Sequence, residues 1–225
     1  MRKLVIWSFG VLALIASAAV ANAAGQGSDF SVGFSHGTGE YSVPVTTAGA
    51  PLVSPYINPA PPWGELGVNA EYGMKMSDDD AFVVGFDYRL GSVKQEPTTN
   101  AAAGSPTVKV TSTAWKVRVG GDRMGKIGDK FSWFMGPGLE YGSGKAKYEN
   151  VYGPPNASIE SEPTNKFGIN GRLGGVMKLT DAVGIRGQVG NTFGMASVKD
   201  EGGKTTWYYS SFESTWGLQF AFGGK

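Results

Sequence analysis

The chain has no cysteine and a single histidine, His36, in 225 residues. The first absence excludes a disulfide scaffold, a thiolate metal site, a cysteine nucleophile and a lipoprotein anchored through a cysteine. The second leaves too few imidazoles for the usual zinc sites. An excess of one charge is also lacking, since 20 Lys+Arg stand against 19 Asp+Glu for a net charge of +1. Without a basic surplus to hold a phosphate backbone, nucleic acid is not an expected partner. Beyond the first two dozen residues, no segment reaches the roughly 20 consecutive apolar residues of a membrane helix. What is abundant is glycine, 35 residues, with 12% aromatics. That composition favours glycine-rich β structure in one sizeable domain.

Met1-Arg2-Lys3 is followed by the apolar run Leu4 to Val20 and then Ala21-Asn22-Ala23. A basic start, an apolar stretch and small residues at both positions a signal peptidase reads predict an export signal at 1–23, cleaved after Ala23. The alternative, an uncleaved N-terminal anchor, is disfavoured by that small-residue pattern. Residues 24–225 are then a nearly neutral exported domain.

A hydropathy scan cannot see a barrel, because its strands hide in period-2 alternation. From Glu65 to Met76, Leu66, Val68, Ala70, Tyr72, Met74 and Met76 share one parity, and Glu65, Gly67, Asn69, Glu71, Gly73 and Lys75 the other. After Ser77-Asp78-Asp79-Asp80, Phe82, Val84, Phe86, Tyr88 and Leu90 oppose Val83, Gly85, Asp87, Arg89 and Gly91. Six more segments alternate in this way: Asp29 to Gly37, about Val108 to Gly120, from Phe131 to Gly142, Lys166 to Leu179, Val183 to Phe193, and near Tyr208 to Phe222. The pattern predicts eight strands.

The expected connections take turns in length. Gly37 to Trp63, Gln95 to Pro106 and Tyr148 to Pro163 are long; Ser77 to Asp80 and Thr180 to Ala182 are short; Gly121 to Lys130 and Lys199 to Thr205 are moderate. Outer-membrane barrels have short periplasmic turns and longer external loops. Of the 12 prolines, all but Pro137 fall in these expected connections, as befits a residue that cannot donate to a ladder. Pro137, between Gly136 and Gly138, predicts a bulge or local bend.

A soluble barrel of lipocalin type has the same period, so the choice turns on which face points inward. With the polar face inside, glycines leave room for Glu65, Glu71, Asp87, Arg89, Arg118, Glu140, Arg172, Arg186 and Glu213, a lumen charge network of both signs. A narrow barrel can hold such charges when they pair. Most segments also reach the 9 to 11 residues that a tilted membrane strand needs, and Trp and Tyr on the apolar face suit the headgroup levels. The reading is an all-β, eight-stranded antiparallel up-and-down transmembrane barrel.

The export signal, the eight amphipathic segments, the loop alternation and the aromatic stretch STWGLQFAF resemble the eight-stranded outer-membrane barrel superfamily that includes the OmpA membrane domain, OmpX-like and opacity-type surface proteins. The resemblance spans essentially all of residues 24–225. It implies a monomer in the bacterial outer membrane, with outer-membrane lipid, lipopolysaccharide and the barrel assembly machinery as partners. Members of that group often end on an aromatic residue read by that machinery; here Phe222 is followed by Gly223-Gly224-Lys225.

Chemistry is sparse. His36 is the only imidazole available as a base; its neighbour Ser35 points to the opposite face, and a serine nucleophile would have to come from another strand. Asp78, Asp79 and Asp80 lack the alternate spacing of a calcium loop and read as a solvated turn. Gly168, Gly171 and Gly174 lack the helix and lysine of a phosphate loop. No cofactor and no enzymatic activity are expected. Eight strands enclose an interior barely wide enough for their own side chains, which leaves a narrow solute channel as the alternative function, with a lipid-modifying barrel enzyme or a secreted lipocalin-like binding barrel ranked after it. The expected function is structural and surface-interacting, through external loops whose Tyr41, Tyr56, Trp63, Tyr148 and Tyr152 supply aromatic contact area to a surface partner.

Overall fold

The computed structural model describes residues 27–44, 65–95, 108–149, 158–200 and 203–222. Residues 1–23, Tyr56, Trp63 and Tyr152 lie outside them. The described elements are strands: β1 (Ser28–Pro44), β2 (Glu65–Lys75), β3 (Asp80–Gln95), β4 (Val108–Ile127), β5 (Phe131–Glu149), the short β6 (Ser158–Glu160), β7 (Thr164–Lys178), β8 (Val183–Asp200) and β9 (Gly203–Phe222). The eight long strands pair antiparallel with their chain neighbours, and β1 pairs with β9 to close the ring. β6 only extends the edge of β5, Lys147 opposite Glu160. No strand edge of the ring is left open, so backbone donors and acceptors are satisfied without water.

The alternation of the sequence becomes an inverted distribution of polarity. Phe34, Leu66 and Trp216 point outward and are 68%, 65% and 63% exposed, whereas inward Glu71 and Asn170 are 2% and 1% exposed. A soluble domain does the reverse. A continuous wall of exposed Leu, Val, Ile, Phe, Met and Trp, far larger than the patches monomeric soluble proteins tolerate, is a surface built for hydrocarbon.

One end of the barrel carries tight turns, at residues 76–79, 128–130 and 179–182. Ser77 Oγ accepts from the backbone N–H of Asp80 at 3.0 Å, and Thr180 Oγ1 from that of Val183 at 3.1 Å, so each hydroxyl fixes its turn. Ser77 Oγ also donates to Asp80 Oδ2 at 3.1 Å on this exposed surface. Gly128 supplies a φ of 65° where β4 turns into β5, a backbone region costly for residues with a Cβ.

Several expected boundaries are corrected at the opposite end and at one turn. β1 does not stop at Gly37 but continues to Pro44, opposite Trp207, after a register shift between Thr38 and Glu40. The inserted residue breaks parity, which hides the continuation from a period-2 reading. Tyr41 therefore stands in β1 and Tyr148 in β5, in strands rather than loops. Residues 121–127 extend β4 instead of forming a connection; there the outward positions are Gly121, Arg123, Gly125 and Ile127, the last three opposite Met135, Trp133 and Phe131 of β5. The last connection is also short, only residues 201–202 separating β8 from β9, so the alternation of lengths fails at that point.

Pro137 makes no bulge. Gly120 pairs with Gly138 and Arg123 with Met135 in one unbroken register, and only the rungs at Gly121 and Asp122 are missing. A residue without an N–H opens the ladder locally and leaves the alignment of the strands unchanged.

Candidate functional site

The lumen is organised in layers, each assembled by inward positions of one parity. On the turn side, Glu71 of β2 is surrounded by three guanidinia. Its Oε1 accepts from Arg186 Nη2 at 2.5 Å, and its Oε2 from Arg172 Nη1 and, at 3.4 Å, Arg118 Nη1. Arg172 also grips Asp122 with a fork, Nε donating to Oδ1 at 2.9 Å and Nη2 to Oδ2. Asp29 Oδ1 lies 4.0 Å from Arg186 Nη1. The Arg186 guanidinium sits 3.9 Å from the ring centroid of Phe134, and that of Arg172 5.3 Å. Such stacking suits guanidinium, which is planar and weakly hydrated.

On the connection side, Glu213 of β9 accepts from Arg89 Nη2 at 2.5 Å and from Lys116 Nζ. Arg89 Nε donates to Asp87 two residues away at 2.6 Å. Lys116 also lies 3.5 Å from Glu140 Oε1, while Glu140 Oε2 accepts from Thr192 Oγ1 at 2.9 Å and that hydroxyl accepts from Asn170 Nδ2 at 3.0 Å. Between them the two layers take a residue from each long strand, β1 through β5 and β7 through β9. Ions out of water are tolerable when paired and hydrogen-bonded in this way.

Below the first layer, toward the turns, Ala81, Val83, Phe134 and Val176 are buried and add apolar atoms to the lumen. The cavity beside them, bounded by Asp29, Val83, Asp122, Phe134 and Arg186 among others, measures about 30 Å³, and a second by Ser31, Asn69, Gln188 and Thr215 about 10 Å³. Those volumes suit a water molecule or two.

The structure places Glu71, Asp87, Arg89, Arg118, Glu140, Arg172, Arg186 and Glu213 in one layer or the other. Glu65 occupies the matching inward register opposite Gly37, and its side chain lies outside the described set. Sequence reasoning missed Asp29, Asp122 and Lys116 as members. Asp122 was hidden by the expected end of its strand at Gly120, although it continues the parity of Lys116, Arg118 and Gly120. Phe134 was missed because a lone aromatic on a polar parity carries no signal until its arginine neighbours are known.

His36 faces outward, directly across from Leu66 on β2 and Ser214 on β9. A serine from another strand does stand opposite the imidazole. Among the described residues, the outward positions beside that pair include Phe34, Leu66, Phe212 and Trp216.

No family model matches the chain, and no curated protein matches it. Solved structures do. The outer membrane protein OprG from Pseudomonas aeruginosa superposes with a TM-score of 0.50 at 12% identity, over 88% of this chain and 97% of that one. The attachment invasion locus protein Ail of Yersinia pestis gives 0.48 at 14% identity, over 88% and 99%. Neisserial surface protein A gives 0.38 at 12%, over 87% and 96%.

The chain folds as an eight-stranded antiparallel β-barrel of the architecture seen in the outer membrane protein OprG. At such identities the likeness concerns architecture, and it agrees with the ring closure and the inverted polarity described above. In a barrel of this kind the exposed apolar wall is the lipid-facing surface, the turns mark the periplasmic end, and the longer connections mark the outside.

Proposed function

We propose that the protein is a non-enzymatic outer-membrane surface barrel, exported by cleavage after Ala23, whose sealed lumen is a structural staple and whose external end carries recognition. The observation behind this reading is the contrast between the two ends. The lumen is filled by paired charges above apolar side chains, whereas β4 and β9 run for 20 residues each and β5 for 19. A bilayer crossing needs about 9 to 11. The surplus of β5 and β9 is stiff wall standing beyond the lipid on the connection side, a platform for residues 45–64, 96–107 and 150–157. Tyr56, Trp63 and Tyr152 in those connections, with Tyr41 and Tyr148 in the strands that lead to them, are the proposed contact aromatics for a surface partner.

The test is deletion of residues 46–62 in the full chain expressed in cells. The barrel should still form, and binding of the cells to the partner surface should be lost, since loop length adds closure entropy only slowly and a connection contributes no ladder. Protease added to intact cells should cut the unmodified protein within the connections and spare the strands. Cleavage at the turns 76–79 or 128–130 instead would invert the orientation and overturn the reading.

A further inference from the structure

Register partners around the ring do not lie at one depth. Following them strand by strand from Asp29 of β1 leads back to β1 at Glu40, eleven residues from the start, one of them the residue inserted at the register shift. Each step to the next strand therefore climbs a little more than one residue, as the stagger of a closed barrel requires. Residues at equal depth are found by counting from the turn side instead. His36 is eight residues from Ser28 at the start of β1, Ser214 eight from Phe222 at the end of β9, and Asn191 eight from Val183 at the start of β8. On three adjacent strands, an imidazole, a hydroxyl and an amide thus point outward at one level. Eight residues of tilted strand rise about 20 Å, which leaves this level inside an apolar band about 25 Å tall.

The wall around them is apolar. Phe193 and Phe212 stand exposed above, Val189, Trp216 and Phe34 below, and further round the ring Leu139 and Ile169 occupy the same level. Acyl chains offer such a polar belt neither donor nor acceptor, so leaving it against lipid is costly, whereas polar side chains act as glue between membrane spans. The belt is also complementary to itself. Two copies inserted in the same sense can be related only by a two-fold axis along the bilayer normal. With that axis at Ser214, the middle strand, Asn191 of each copy faces His36 of the other, and two residues nearer the turns Trp216 meets its own copy while Val189 meets Phe34. The Asn191 oxygen accepts from Ser210 Oγ at 3.1 Å, which turns the two N–H donors of the amide away from that hydroxyl. A neutral imidazole keeps one acceptor nitrogen, and the match requires no more than that of His36.

We propose that two copies of the chain pair within the membrane through β1, β8 and β9, with Asn191 of each copy donating to His36 of the other on either side of a two-fold axis at Ser214. This inference rests on the membrane reading given under the proposed function, and it sets a pair in place of the monomer that the resemblance implies. A hydrogen bond between membrane spans strengthens association about threefold, so the two equivalent bonds together should count for about tenfold.

The chain has no cysteine, so a single introduced thiol can be oxidised only against its own copy. The experiment places S214C and, at the same level on another part of the wall, L139C separately into phosphatidylcholine vesicles as full-length protein, and follows disulfide-linked dimer under mild oxidation over a dilution series in lipid. S214C should crosslink at several-fold lower protein density than L139C. Adding N191L to S214C should raise the density at half-maximal crosslinking about tenfold, and adding H36L should do the same. All variants should keep the heat-dependent gel shift of a folded barrel, and H36L tests the same bond from its other end if N191L does not fold. Equal crosslinking of S214C and L139C would mean that lipid or a different protein covers the belt, and it overturns the proposal; so does a midpoint that neither N191L nor H36L moves. The membrane reading falls separately, on the gel shift of the unmodified protein.

Discussion

Glu71 is the residue on which the interior depends. It comes from the shortest of the eight long strands, β2, and its two oxygens meet guanidinia from β4, β7 and β8. Removing it leaves Arg118, Arg172 and Arg186 facing one another with Asp122 and Asp29 as the remaining nearby anions. Glu71→Ala should therefore destabilise the barrel by roughly 3 to 5 kcal/mol, the cost of breaking a buried pair by deleting one partner. Arg172→Ala should do the same through Glu71 and Asp122. Urea unfolding followed by tryptophan fluorescence in detergent measures both. Unchanged midpoints in the two variants would show a lumen hydrated enough to screen its charges, and would favour the channel alternative.

Among the elements, the contact between β4 and β5 is the most constrained. Where Pro137 removes a donor, Gly136 lets the chains approach so closely that a Cβ there would lie 1.8 Å from the Gly121 carbonyl oxygen. A backbone atom cannot swing aside as a side chain does. Gly136→Ala should then cost about 1 to 3 kcal/mol, the range for overpacking a fitted interior, seen as a lower urea midpoint; an unchanged midpoint would mean that the open rungs at Gly121 and Asp122 absorb the displacement. The same strands show what the sequence discloses. Parity alone assigned Lys116 and Arg118 to one face and Trp115 and Val117 to the other, because a lipid-facing wall needs strict alternation. It lost Asp122 and residues 121–127, since Gly121, Arg123 and Gly125 interrupt the apolar row of β4 while the register continues unshifted and Met135, Trp133 and Phe131 supply the apolar face from β5. Tyr41 was lost behind the irregularity at Thr38 and Glu40 for a related reason, as one inserted residue flips every later side chain. The partners of each charge were not legible at all, because Glu71 and Arg186 are 115 residues apart and only ring closure brings them together.

At the scale of the whole molecule, two properties follow from closure and from a filled lumen, and they are separable. A ring without edges keeps its backbone hydrogen bonds in SDS, so the folded protein should migrate apart from the boiled form on a gel, and it should fractionate with membranes. Identical migration before and after boiling, or recovery in the soluble periplasm, would remove the basis for a membrane barrel. Conduction tests the interior. With Glu71, Asp122, Arg172 and Arg186 joined into one layer and Ala81, Val83, Phe134 and Val176 adding apolar atoms on the turn side, ions would have to break paired charges and then pass those apolar atoms. Planar bilayers containing the heat-modifiable protein should therefore show no steady unitary currents. Phe134→Ala should leave them silent too, because the arginine layer persists behind it, whereas combining it with Glu71→Ala should admit water and produce measurable steps if the double variant still passes the gel test. Steady currents from the unmodified protein would instead establish an open path through the lumen and transfer its function from surface recognition to solute passage.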